Sequence, residues 1–421
     1  MIIPLIQTEL LNTITTIIKS IKIGAIISTI LLFFLPAMLI GMLSPIIIKI
    51  KIEDIEKAGK TSGKIYAIAT VGSIIGTFLG GFYLVPSFGC NEILFFLAII
   101  MFLVLLYANY EKTIKSGKKI IGITLIGILA SCICFGSYTY SNNQNGIKVM
   151  NGDLNIKASY DTQYGRVLIY NTEKNDEKYR QLNIDKGHES ATYIDEDKCN
   201  ELVYEYTKFY DMMFKSKKEI QNALMIGGAG YSYPKYYISH YLNKNMDVVE
   251  IDKKVTEIAK KYFYLDKLIQ EYDLSNNKRL NLINEDGRVF LNNNTKKYDA
   301  ILNDAFSGDS PAKTLTTVEA VQKIHESLNE KGVYLSNVIS SIDGENSNFI
   351  KAEIKTLNQV FENVYVIPCL DKDDYEIVQN NMVIATDDEL FLEDTAKVNT
   401  SDAIILTDNF CPVDSLIPQI K

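Results

Sequence analysis

"NALMIGGAGYSYPKYYISHYLNKNMDVVEID", residues 222–252, decides the fold. An apolar run of strand length, "NALMIG", meets a glycine cluster, and "YPKYYISHYL" then has helical spacing before a second apolar run, "MDVVEID". Strand, turn, helix and strand within about thirty residues is the unit from which parallel sheets are built. Working outward, "KKVTEIAKKYF" is the next helix. "RLNLINED", "YDAILNDAF", "TTVEAVQKIHESL" and "GVYLSNVI" keep up the alternation. The spacing predicts a doubly wound, Rossmann-like α/β domain over 216–421, with "VYVIPCL" and "NMVIATDD" as an antiparallel pair at the sheet edge. Upstream, "NIKASYD", "GRVLIYN" and "YRQLNID" alternate with period two and are broken by turn residues, which predicts a small antiparallel β-rich subdomain over 147–190. A helix through "KCNELVYEYTKFYDMMF" completes the piece 147–215.

In such a domain the glycine turn lies where the first strand meets its helix. Gly227, Gly228 and Gly230 there let the backbone approach a nucleotide, the helix offers its positive end, and Pro234 fits the first helical turn. Glu250 closes the second strand, 23 residues beyond Gly227, where a carboxylate accepts the hydroxyls of a ribose. Asp252 reads instead as a helix N-cap. After the third strand, Asp286 before Gly287 reads equally as the acceptor of adenine's amino group or as a turn acid. Asp304 ends the fourth apolar strand, so its backbone is fixed on the same rim; Asp309 and Ser310 follow on a loop that closes over a ligand.

The chain of 421 residues carries a net charge of −8, divided unevenly. Residues 1–143 hold 11 Lys, no Arg and 6 acids, whereas the remainder holds 32 basic and 45 acidic residues. The acidic part excludes a nucleic-acid face and suits a cationic small molecule. Within 1–143, the runs 24–48, 65–86, 93–108 and 120–138 are long enough and poor enough in charge to predict about four transmembrane helices and a multi-pass membrane protein, with 1–19 lying at the interface. Six Cys without a CxxC pair and only three His (His188, His240 and His325) give no metal cage, disulfide framework or His-based triad. The three His read as ordinary surface or packed residues.

Taken together, "YGRVLIY" (164–170), "LVYEYTKFY" (202–210), "MIGGAGYSYP", "DVVEID", "NEDGRVF" and "YDAILNDAFSGDSP" resemble the spermidine synthase (polyamine aminopropyltransferase) family over roughly 155–390. "AGKTSGKIYAIATVGSIIGTFLGGF" (58–82) looks like the membrane part of its membrane-fused bacterial branch. The resemblance implies a transferase that passes an aminopropyl group from decarboxylated S-adenosylmethionine, a co-substrate, to a small-molecule amine, with no tightly bound cofactor and no metal. It implies Asp304 as proton acceptor, Glu250 on the ribose, Asp286 on the adenine with Gly287 beside it, the 227–230 turn alongside the donor, Tyr204 in the amine pocket, and a homo-oligomer.

The sequence also departs from that pattern. Soluble members carry an Asp in the glycine turn, where this chain has Gly227-Gly228-Ala229-Gly230-Tyr231; a second Asp after the catalytic one is Ser307 here. A His beside the pocket tyrosine is replaced by Glu205, and a donor-binding Gln by Glu189. Asp309, Glu189 and Glu205 return negative charge from other directions. Two other readings stand: a methyltransferase using S-adenosylmethionine, and a non-catalytic membrane protein that binds a nucleoside or polyamine. The positive-inside rule places the Lys-rich loops 49–64 and 109–119 in the cytoplasm, so four full spans send residue 143 outward. A cytosolic donor requires the soluble domain inside, which holds if 93–108 or 120–138 does not cross.

Overall fold

In the computed structural model, residues 2–18, 21–52, 55–85, 90–110, 122, 124–133, 135–136, 155–174, 176–185, 187–216, 219–307 and 310–418 are described. The chain forms two compact units, one of Met1–Asp153 with Tyr160–Gln163 and the other of Leu154–Ser159 with Tyr164–Lys421.

The first unit is helical: α1 (Ile2–Ile17), α2 (Ile21–Gly41), α3 (Leu43–Lys51), α4 (Ala58–Leu79) and α5 (Cys90–Tyr110). Four spans were expected. Among the described residues, two helical stretches, Ile23–Lys51 and Ile55–Leu84, are long and apolar enough to cross a bilayer by length and composition. Among the described residues, Glu92–Leu105 within α5 and Thr124–Ile133 are further apolar helical stretches. The remainder of 120–138 lies outside the described residues.

In the second unit, β1 (Asn155–Asp161), β2 (Arg166–Lys174), β3 (Glu177–Ile184) and β4 (Gly187–Tyr193) form one four-stranded sheet in sequential order. Alternation buries Val167 and Ile169 of β2 and Leu182 of β3, as the period-two pattern requires. The helix expected through 198–214 takes another form. Glu205–Met212 is a 3-10 helix, followed by one short α-turn, Met213–Ser216. The residues explain it: from Glu205 to Tyr210 the pattern is exposed, half-buried, buried, repeated once, a period of three rather than 3.6. Glu205 and Lys208 pair on the outer row, while Thr207 and Tyr210 are buried on the inner one.

The central sheet contains β5 (Asn222–Ile226), β6 (Asn245–Glu250), β7 (Leu280–Asn284), β8 (Tyr298–Asn303), β11 (Leu328–Ser340), β12 (Asn363–Pro368) and β13 (Gln379–Thr386), in the order β12-β13-β11-β8-β5-β6-β7. The pairings β7–β6–β5–β8–β11 are parallel, and β13 is antiparallel to both β11 and β12. Between β8 and β11 lies a minimal ladder, β9 (Phe306–Ser307) against β10 (Ser310–Pro311). Strands buried on both faces read as unbroken apolar runs, and β8 is buried at every position. Helices α6 (Ser232–His240), α7 (Lys253–Tyr262), α8 (Gly287–Asn293), α9 (Val318–Ser327) and α10 (Asn348–Leu357) connect the strands. Since the chain leaves β5 for β6 on one side and returns to β8 on the other, the switch point falls at the carboxyl end of β5, where such sheets leave a crevice.

Candidate active site

The glycine turn begins where β5 ends, and its first residue is fixed by its neighbour. Gly227 has φ +95°, and a Cβ there would lie 2.4 Å from the Asp304 carbonyl oxygen. Only glycine allows both the left-handed backbone and this approach of two strand ends. The ladder runs straight into the site: Gly227 N–H donates to Val249 O (2.9 Å) and Asp304 N–H to Ile226 O (2.9 Å). At Gly230 a Cβ would come 2.6 Å from Ser190 Oγ of β4, and at Gly287 it would meet Ile226. The glycines therefore let strand ends, turn and β4 pack closely, with Gly227 and Gly228 also on the cavity wall.

Ala229 and Tyr231 also take left-handed conformations (φ 43° and 55°), and the curled turn aims successive N–H groups at one point. Glu250 occupies that point: its Oε2 accepts from Gly228 N–H (2.8 Å) and Ala229 N–H (2.9 Å), and its Oε1 accepts from Asp252 N–H (2.9 Å). Burial pushes the Glu250 carboxyl above its usual range, and the three backbone donors pull against that. A phosphate would have to displace this carboxylate to use the amides. These two amides of the turn are already engaged within the chain.

Asp252 caps α7 by accepting from Lys254 N–H, as read from sequence. Asp286 caps α8, its Oδ1 accepting from Arg288 N–H (2.8 Å) and Val289 N–H (3.0 Å), so the turn-acid reading describes that oxygen.

A cavity of about 640 Å³ opens at the ends of β5, β8 and β11, walled by β4, the 205–212 helix and the β12–β13 connection. It gathers Glu189, Tyr204, Glu205, Gly227, Gly228 and Asp304. Gly230, Glu250, Asp286 and Gly287 are not on its wall, and Asp309 lies outside the described residues.

Asp304 is half-buried at this wall. Its Oδ1 accepts from Asn337 Nδ2 (2.9 Å) and its Oδ2 from the Tyr206 hydroxyl (3.1 Å). Asn337 is itself oriented, because its Oδ1 accepts from Asn380 Nδ2 (3.0 Å). Burial raises the Asp304 carboxyl above the ordinary range, with the hydrogen bonds opposing. Burial, and then the charge of Asp304, push the Tyr206 phenol well up, so it stays a proton donor. Tyr204 accepts from Gln181 Nε2 (3.0 Å), and Gln181 also meets His188 Nδ1 (2.6 Å). His188, exposed as its surface reading expects, lines the cavity. Glu205, exposed, pairs with Lys208, so its charge is already engaged. Among the described residues no group of three His, Cys, Asp or Glu is arranged to hold a metal.

Tyr206 and Asn337 escaped the sequence reading. Tyr206 was within reach, two residues from Tyr204 in the same motif; Asn337 sits inside an apolar strand and carries no local signal.

A half-buried carboxylate on a cavity wall at the switch point of a Rossmann-type sheet places the candidate site where open α/β sheets bind their ligands. The spermine/spermidine synthase domain model matches residues 206–410. A polyamine aminopropyltransferase of Thermoplasma volcanium is 31% identical over 204 residues, 48% of this chain and 67% of that protein. One of Vibrio vulnificus is 32% identical over 157 residues, 37% of this chain and 47% of that protein. A spermidine synthase structure from Thermotoga maritima aligns with TM-score 0.44 and 19% identity over 63% of this chain and 84% of that one. The chain belongs to the spermine/spermidine synthase family. It spans about half the length of the Vibrio vulnificus relative.

Proposed function

We propose that the chain is a membrane-anchored aminopropyltransferase that uses decarboxylated S-adenosylmethionine and a small amine, with Asp304 as proton acceptor. The observation that carries the reading is the Asp304 carboxylate, held by Tyr206 and Asn337 on the cavity wall one backbone contact from Gly227. The amine lone pair forms the new C–N bond while the C–S bond of the sulfonium breaks, its electron pair returning to sulfur as neutral methylthioadenosine. The surplus proton on the nitrogen passes to Asp304. An alkylammonium of pKa about 10 is almost wholly protonated at neutral pH, so a carboxylate of raised proton affinity suits this task better than an exposed one. The rest of the work is alignment of donor and acceptor.

Glu250, held against the turn, presents its remaining lone pairs to a ribose; Asp286 Oδ2 lies on the adenine side; Glu189 and Tyr204 line the amine side. A decarboxylated donor is favoured over S-adenosylmethionine because the first lysine after the glycine turn is turned inward. Lys235 is buried, donating to Thr192 Oγ1 and the Cys199 carbonyl rather than standing ready for a methionine carboxylate. The apolar helices Ile23–Lys51 and Ile55–Leu84 support the membrane anchor, and use of a cytosolic donor places the catalytic unit in the cytoplasm.

The test uses the full chain in detergent with decarboxylated S-adenosylmethionine and a diamine panel, reading methylthioadenosine release. Release that is lost in Asp304→Asn supports the proposal. Methyl transfer from S-adenosylmethionine instead, or donor binding without turnover, would sink it.

A further inference from the structure

The wall that carries Tyr206 is held at its far end by a device that the transfer step does not itself use. Asp211, at the end of the 3-10 helix 205–212, receives three phenols from one neighbouring helix and its cap. The Tyr233 hydroxyl donates to Oδ1 (2.8 Å), and those of Tyr236 (3.2 Å) and Tyr241 (3.0 Å) donate to Oδ2. Burial first, and next the Asp211 charge, raise all three phenols, so each remains a donor. Hydrogen bonds to an ionised acceptor are about twice as strong as neutral ones, and three of them converge here on one carboxylate. The rings reinforce the clamp: Tyr233 packs on Tyr210 at 5.1 Å between centroids, and Tyr233 also lines the cavity.

Among the described residues, the other side-chain hydrogen bonds from this segment to the rest of the fold are Tyr204 to Gln181 and Tyr206 to Asp304. Tyr206 therefore hangs between a fixed Tyr204 and a fixed Asp211. A 3-10 helix has poorer internal hydrogen-bond geometry than an α-helix, and eight residues is long for one, so its conformation depends on its anchors.

We propose that Asp211 is a positioning residue: by binding Tyr233, Tyr236 and Tyr241 it fixes the 205–212 helix so that the Tyr206 hydroxyl stays on Asp304. This rests on the proposed role of Asp304 only for its kinetic consequence; the geometric claim stands apart. Facing Asp304 are Tyr206 and Tyr210 of the 205–212 helix and Asn337 of β11, while Glu189 and Cys369 line the same cavity. Loss of the Tyr206 contact removes a donor that favours the ionised carboxylate, so the proton affinity of Asp304 rises further.

The experiment compares wild type, Asp211→Asn, Tyr206→Phe and the double variant in the full chain. Asp247→Asn serves as a destabilised control, since its Oδ2, which accepts from the Tyr298 hydroxyl and Lys296 Nζ in the first half of β6, is replaced by a donor. Two readouts are taken: kcat/KM against pH, and the pH dependence of the Tm gap between each protein and its Asp304→Asn counterpart. Asp211→Asn and Tyr206→Phe each move the acidic limb upward and cost about tenfold in kcat/KM on it, the worth of one hydrogen bond to a charged group. The double variant loses little more, and Asp247→Asn lowers Tm without moving the limb. The proposal is overturned if Asp211→Asn lowers Tm but leaves limb and Tm gap unmoved, or if the two single losses multiply in full. Should Asp304→Asn keep full turnover, the proposed function fails while the Tm gap still decides the positioning claim. If Asp211→Asn does not fold, Tyr236→Phe with Tyr241→Phe removes two of the three donors, and an unmoved Tm gap there also overturns it.

Discussion

Asp304→Asn separates function from stability in opposite directions. The folded environment as a whole favours the neutral carboxyl, because burial outweighs the hydrogen bonds that favour its charge. Asparagine has the shape of that neutral form: its Oδ1 still accepts from Asn337, and its amide nitrogen donates to the Tyr206 oxygen, whose hydroxyl turns. The sign then follows from linkage. A carboxyl whose folded pKa is raised lends stability that is fully present below its unfolded pKa of about 3.9 and is lost as pH rises through the folded value. At pH 7.5 the wild type has lost that contribution, whereas the variant has nothing to lose. Desolvation outweighs the hydrogen bonds that favour the charged form, so the variant has the higher Tm at pH 7.5 and the gap narrows as pH falls. Methylthioadenosine release meanwhile falls by about 10²- to 10⁴-fold, the usual worth of a positioned base. The assay pairs turnover at pH 7.5 with Tm between pH 5 and 9. A Tm gap that closes as pH falls bears the argument out; unchanged turnover, or a variant less stable than wild type across the whole range, refutes it.

Gly227→Ala places a methyl group 2.4 Å from the Asp304 carbonyl oxygen at φ +95°, and it should cost more than about 2 kcal/mol, seen as a drop in Tm and a loss of donor binding together. Glu250→Gln keeps the volume but gives the turn an amide that cannot accept from Gly228, Ala229 and Asp252 at once; calorimetry should show donor affinity reduced about tenfold or more. Glu353, buried in α10 with an unpartnered Oε2, has its carboxyl pushed by burial up to about 8. Its contribution to stability is complete below about 4.3 and gone above about 8, so Glu353→Gln should flatten the fall of Tm across that window. Lys235 has the opposite slope. Burial lowers its ammonium to about 7, so stability rises with pH from there towards about 10.4, and Lys235→Met should gain most near pH 6.

The central sheet was legible because its strands are buried on both faces and its turns are glycines and acids, signals that survive without tertiary context. The edge pair β12–β13 was legible for the same reason, as two apolar runs without a helix between them. Two of the four expected stretches are matched among the described residues by helices long and apolar enough to cross a bilayer, and most of the rest of 120–138 lies outside them. The helix at 198–214 failed on period, since rows three apart (Glu205 and Lys208, Thr207 and Tyr210) were present in the sequence but were weighed against a period of 3.6. Asn337 and Asp211 could not be found at all from local pattern. Each acts across the fold, on a partner 33 residues away in one case and 22 to 30 in the other, and nothing in the intervening sequence announces it.

The filled glycine turn also bears on which donors the site accepts. An open nest of backbone N–H groups attracts phosphate, and a chain that uses it for a dinucleotide leaves those groups free. Here the carboxylate that ends β6 already accepts two of them, so the turn is electrostatically satisfied before any ligand arrives. A phosphate approaching it meets the buried charge of Glu250 and no free donors at these two positions, and pays repulsion as well as desolvation. A sulfonium nucleoside brings positive charge and two ribose hydroxyls, which complement the same carboxylate. On the proposed function, discrimination against nucleotides needs no separate gate. Adenosine diphosphate should fail to compete with methylthioadenosine at equal concentration, and effective competition by the diphosphate would show that Glu250 gives way.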